Sequence, residues 1–368
     1  MKNKKFVFDT NFYRAIASEA CINLNHYYLN NNGIKKIKEM PYEMSDEFKP
    51  FIDEIRKIIH ELKIKENKKS IKVYPNIVVL AELMYHLVKS TDDNKQKCIL
   101  AIIAVAEHID EENKYNYYAT AEAILAKEMF GMYHSNADEG NQEAIDLLFK
   151  FKTDGIELIL LNNQDRIENI ASYITRKEEN FLNNAEGFIR NFDENFCISN
   201  DGKWQIFKNN KDKREEWHQK KLGENYKKFV ENNIAYKGLI ITFIERIANY
   251  LGINTNLPEN CSDNQAYELL IKAINGKSSW EYYGFIAQYC CPQLELLRLQ
   301  IAKLVQGVNL NKSKQLNFIH DIDIMFSIIA ENVILVSDDN EMTNAVLNVN
   351  EKYKIMKSAE YREILLGN

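Results

Sequence analysis

Acidic side chains at the ends of apolar runs are the groups in this sequence best placed for chemistry. Phe6-Val7-Phe8 runs directly into Asp9-Thr10-Asn11, and the β-branched run Val333-Ile334-Leu335-Val336 stops at Ser337-Asp338-Asp339. A parallel strand buried on both faces reads as continuous apolar sequence, and sheets of that kind hold their ligands beyond the carboxyl ends of the strands. Both sets of acids stand at that position. Glu82 is different, because it lies inside the apolar stretch 75–87, between Ala81 and Leu83. An ionised carboxylate in such surroundings needs a partner or a cation, so Glu82 is either a ligand or a helix residue with one wet side. Asp321 opens a further apolar run, Ile324, Met325, Phe326, Ile328 and Ile329, which Glu331-Asn332 breaks just before the strand leading to Asp339.

Taken in order, these pieces resemble a PIN-domain nuclease: an apolar strand with Asp9-Thr10-Asn11, an apolar run with Ala81-Glu82-Leu83, an acid opening an apolar helix, and a strand ending in Ser337 and acid. The resemblance implies an α/β fold with a central, mostly parallel sheet flanked by helices. It also implies four carboxylates that hold one or two Mg2+ or Mn2+ ions, which activate water for cleavage of RNA, less often DNA. Residue by residue, Asp9 matches the first acid, Glu82 the second, Asp321 the third and Asp339 the fourth. Asn11 and Ser337 match the usual polar neighbours, and Asp323 and Asp338 are spare acids able to exchange roles with theirs. The 18 residues from Asp321 to Asp339 (339 − 321) suit a helix plus a strand. Oxygen ligands without His or Cys suit Mg2+, which keeps several waters, and a bound ion supplies an acidified water and a counter-charge for the leaving oxygen. The expected activity is a metal-dependent endoribonuclease, such as a toxin or defence effector. The alternatives are a PIN-like RNA-binding or scaffold module without turnover, and a single-stranded DNA nuclease.

The elements that would position these acids follow from the apolar patterning. Strands are predicted at residues 5–8, 156–161, 333–336 and 353–356. Residues 18–69 form a polar, Asn-rich connection with one amphipathic helix near 50–65, and residues 92–152 read as three successive helices. Asp321 lies far beyond the strand expected at 156–161, so a large segment is inserted. The predicted organisation is a PIN-like core of residues 1–174 and 315–368, with the mostly helical insertion near 18–69, and a helical lobe over 175–314.

That lobe holds the most basic window of the chain. Residues 203–228 carry nine Lys or Arg against four acids, interleaved with Trp204, Phe207, Trp217 and Tyr226. Positive groups alternating with rings suit single-stranded nucleic acid, through phosphate pairing and base stacking; a charged helix anchored by its rings gives the same pattern. Lys211, Lys213 and Arg214 are its candidate RNA contacts. Arg14, one turn beyond Asn11, could face the scissile phosphate or simply line the surface. The lysines at 63, 65, 68, 69 and 72 read as a solvated helix end or as a rim that meets phosphate. His320 beside Asp321 fits packing or capping better than acid catalysis.

Composition bounds the rest. The chain has 368 residues, 45% of them hydrophobic and 27% charged, with a net charge of −6, so affinity for a polyanion has to come from local patches. Thirteen Gly and five Pro in this length favour long helices. Six cysteines show no CxxC pair, which fits reduced, buried thiols. Neither a secretory signal nor an apolar run of membrane-spanning length is evident, so a cytoplasmic protein is expected, with RNA or single-stranded DNA as partner and no membrane. A protein partner or a second copy of the chain is compatible with this reading.

Overall fold

The computed structural model describes residues 4–25, 27–29, 35–37, 48–90, 92–131, 135–152, 156–192, 244, 246–253, 263–274, 290–305, 317–349 and 354–367. In chain order the first half holds β1 (Lys5–Phe8), α1 (Thr10–Asn23), β2 (Tyr27–Leu29), β3 (Lys35–Ile37), α2 (Lys49–Lys68), β4 (Lys72–Val73), α3 (Ile77–Lys89), α4 (Asp92–His108), α5 (Ala121–Phe130), α6 (Ser135–Lys150), α7 (Ile156–Asn162) and α8 (Gln164–Phe192). The second half adds α9 (Asp263–Ala273), α10 (Cys291–Val305), α11 (Phe318–Met325), β5 (Val333–Val336), α12 (Asn340–Asn348), β6 (Ile355–Met356) and α13 (Ser358–Leu366).

A four-stranded sheet in the order β4-β1-β5-β6 sits among the helices, and every neighbouring pair in it is parallel. The sequence explains the centre of this sheet. Phe6, Val7 and Phe8 of β1 and all four residues of β5 are buried, as expected of central strands covered on both faces. Their register runs from Lys5 opposite Val333 to Phe8 opposite Val336. Asp9 N then donates to Val336 O at 3.0 Å and Ser337 N to Met356 O at 3.0 Å, so β1, β5 and β6 end at one level. Between α11 and β5 the chain reverses through Asn332, whose φ of 63° is left-handed. Asn tolerates that region better than most residues, through its short polar side chain, and the Glu331-Asn332 break falls there.

Helix α3 is apolar on nearly every side, with Ile77 through Met84 buried, Glu82 included. It is started by Asn76, whose Oδ1 accepts from Val78 N at 2.8 Å and Val79 N at 3.4 Å, satisfying amides that have no partner inside the helix. On its flank lies α8, while α1, α2 and α4 pack on one another, and α10 packs on α11 and α12.

Several expectations change. The strand expected at 156–161 is the helix α7, in which only Ile156 is buried, while Leu158 is 62% and Leu161 73% exposed. A short apolar run does not by its composition separate strand from helix, and three leucines, which are not branched at Cβ, favour helix. The sheet takes its fourth strand from β4 instead. The connection 18–69 contains a small antiparallel pair, β2 with β3, besides the expected helix. Directly after α7 the chain continues into the long helix α8. Of the segment expected as a lobe, residues 193–243 lie outside the described residues, as do Lys211, Lys213 and Arg214. Cys21, Cys98 and Cys290 are buried free thiols. Among the described residues no helix is long and apolar enough to cross a membrane.

Candidate functional site

The parallel register carries Asp9 and Asp339 to the same end of the sheet. Asp9 follows β1 directly and is buried. Its Oδ2 accepts a hydrogen bond from Ser337 Oγ at 2.9 Å and from Asn11 Nδ2 at 3.3 Å. The same serine oxygen accepts from Asp339 N at 3.1 Å, so one hydroxyl joins the ends of β1 and β5. Asp339 is half-buried and starts α12, where its Oδ1 accepts from Glu341 N at 2.6 Å and Met342 N at 2.9 Å. That capping role uses one carboxylate oxygen and leaves the other outside these bonds.

Glu82 meets this group from α3. Thr10 Oγ1, in the residue after Asp9, donates to Glu82 Oε2 at 2.5 Å, and His86 Nε2 lies 3.6 Å from Glu82 Oε1 one turn along the helix. Glu82 is thus a helix residue and a member of the acid group together. Asp321, in the first turn of α11, is half-buried. Beside it, His320 is buried with Nε2 3.3 Å from Glu178 Oε1, while its Nδ1 is buried without a hydrogen-bond partner.

Charge shows that the four carboxylates share one neighbourhood. Burial raises the pKa of Asp9 from 3.8 to about 7, with the charges of Glu82 and Asp339 adding to the rise and the Ser337 hydrogen bond opposing it. Burial also holds Asp321 well above the ordinary carboxylate range, reinforced by Asp9, Glu82 and Asp339. Glu82 goes the other way. Its burial is outweighed by hydrogen bonds from His86 and Thr10 and by the charges of Arg14 and His320, so it stays below its usual value. The site therefore has one carboxylate kept ionised beside two that resist ionisation, as expected when like charges crowd without a compensating cation.

Among the described residues, no three His, Cys, Asp or Glu side chains are grouped closely enough to hold a metal ion. Asp9, Glu82 and Asp339 instead rest on hydroxyl, amide or imidazole donors. The fit to Mg2+ or Mn2+ rests on the donor chemistry, oxygen ligands with uncompensated negative charge, rather than on a closed cage.

The remaining candidates separate clearly. Arg14 is half-buried and close enough to Glu82 to lower its pKa. Asn11 and Ser337 both serve Asp9. Asp338 is exposed and belongs to another contact, since its Oδ1 accepts from Ser358 N at 2.9 Å and its carbonyl from Lys357 Nζ at 2.9 Å, at the start of α13. Asp323 is turned away from Asp321 and buried among Tyr173, Lys177 and Arg246, so it does not replace its neighbour. The lysines at 65, 68, 69 and 72 are exposed, but Lys72 stands opposite Lys5 at the amino end of β1, the end away from the acids. Lys63 is spent on Asp110 at 2.6 Å. Lys63 and Lys72 therefore form no rim for the acid group.

Thr10, His86 and Glu178 are additions to the group expected from sequence. His86 follows Glu82 by four residues, which on a helix places both on one face, and that spacing was the available signal. For Glu178 no local signal exists. A groove of about 220 Å³ lies elsewhere, between α1, α2 and α13, and none of the four acids lines it. Compared with known proteins, the chain is matched by no family model, by no curated protein and by no solved structure.

Proposed function

We propose that the chain is a metal-dependent, PIN-like nuclease that hydrolyses phosphodiester bonds of single-stranded RNA. The observation that carries this reading is the gathering of Asp9, Glu82, Asp321 and Asp339 at the carboxyl end of one parallel sheet, within reach of one another's charge. These four form no closed cage and would draw together to hold Mg2+ or Mn2+; the ion when bound would supply a water acidified for attack and a counter-charge for the phosphorane and leaving oxygen. The chain's own residues prepare the place. Ser337 and Asn11 hold Asp9 in orientation, and Thr10 and His86 keep Glu82 ionised at neutral pH. Asp339 is fixed by the amides it caps. Arg14, close to Glu82, is the cation suited to the substrate phosphate.

The test is incubation of the purified chain with end-labelled RNA and single-stranded DNA, with Mg2+, Mn2+ or EDTA, beside Asp9→Asn. Cleavage of RNA that requires the ion and is lost in Asp9→Asn is the expected result. Cleavage confined to DNA moves the substrate class. Binding of RNA without cleavage by the wild type replaces the enzyme with a binding module.

A further inference from the structure

Helix α8 grips two partners that flank the acid group. Tyr173, Lys177 and Glu178 lie within two turns of it. Glu178 is buried, and its two carboxylate oxygens go to different helices: Oε1 lies 3.3 Å from His320 Nε2 on α11, and Oε2 accepts from Tyr85 Oη on α3 at 2.9 Å. Asp323, also on α11, receives the Tyr173 hydroxyl at 2.9 Å and is paired with Lys177. Lys177 lies 3.5 Å from Glu122 on α5, and Arg246 pairs with Glu122 and lies 3.9 Å from Asp323. Residues 320 and 323 are three apart and share one helical face, so that face of α11 belongs to α8 and Asp321 is left to the acids. Meanwhile α3, which Glu178 holds through Tyr85, is the helix that carries Glu82.

We propose that Glu178 is a positioning residue of the carboxylate site: by tying the helix of Glu82 to the helix of Asp321, it sets how far apart those two acids stand. Tyr173 and Lys177 fix the second point of contact on α11, so that the helix neither rolls nor slides. The proposal rests on the metal-site reading above. Groups that orient ligands from behind are worth about 10- to 100-fold in metal affinity, and a carboxylate bridging two ligand-bearing helices is of that kind.

Mn2+ binding to the full chain, followed by titration calorimetry, is the direct measurement. Glu178→Ala is expected to weaken binding by about 10- to 100-fold, and Glu178→Gln, which keeps an oxygen for Tyr85, to recover part of the loss. Glu168→Ala, an exposed carboxylate earlier on α8, should leave the affinity unchanged. Tyr85→Phe removes one hydroxyl and is expected to weaken Mn2+ binding in the same direction by a smaller factor, and it decides the matter if Glu178→Ala does not fold. A folded Glu178→Ala, or failing that Tyr85→Phe, with wild-type Mn2+ affinity overturns the positioning role alone. A wild-type chain that takes up no Mn2+ overturns the metal-site reading and the positioning role together.

Discussion

Protonation of Asp9 shapes the stability of the protein. Its pKa rises from 3.8 to about 7 on folding, so the folded state binds this proton more tightly than the unfolded chain. The resulting stabilisation is complete below pH 3.8, declines as pH rises towards 7, and is gone above it. Asp321, shifted in the same direction, adds to the decline. Glu82, held below its usual value, acts in the opposite sense and only at acid pH. Without divalent ions, urea melts are therefore expected to show lower stability at pH 8 than at pH 5. Asp9→Asn should flatten that slope and stabilise the protein at pH 8 by up to ~4 kcal/mol. An unchanged slope in the variant would move the charge strain away from Asp9. The four acids were legible because three of them interrupt or end apolar runs, where an ionisable group is conspicuous. Thr10 and Glu178 were not, because a hydroxyl after a strand and a carboxylate on a polar helix occur everywhere, and only the fold brings them to Glu82 and His320.

At the scale of elements, β1 and β5 were readable from continuous apolar runs that end abruptly, and β6 from a shorter one. Two-residue β4 was not, since two residues carry no periodicity to read. The stretch 156–161 misled for the reason that apolar content is not periodicity; its exposed leucines belong to a helix. Among the helices, α3 has the most direct tie to the site, because its start sets where Glu82 stands. Asn76→Ala removes the side chain that caps Val78 and Val79. Chemical denaturation is expected to show a loss of about 1 kcal/mol, while Asn76→Asp should retain most of it. A loss near zero for the alanine variant would mean that packing alone starts this helix.

Across the whole molecule, charge is distributed unevenly. The net charge is −6, the acids gather beyond the carboxyl ends of the strands, and lysines 5 and 72 stand side by side at the amino ends. Under the proposed function, a nucleic acid strand at the acids would need cations from elsewhere, and residues 203–228 are the densest source in the sequence. Replacing Lys211, Lys213 and Arg214 together by Ala is expected to weaken RNA binding and to reduce the slope of log affinity against log salt by about 2, at roughly 0.7 per lost contact on a single strand. Cleavage at saturating RNA should persist. A triple variant with wild-type affinity and slope would assign the window to a solvated helix.

The serine hydroxyl that joins Asp9 to the end of β5 spans 328 residues of sequence, and that separation has a consequence in time. At about 5–20 residues per second of synthesis, roughly 15 to 65 seconds pass between the making of Asp9 and of its partner. Through that interval Phe6-Val7-Phe8 lacks its central neighbour. Chains stalled on the ribosome before residue 333 are expected to be cut readily by protease near β1 and to be inert towards RNA, whereas chains carried past residue 358 should resist. For the proposed nuclease, this order would leave the cutting centre incomplete until Asp339 has been made.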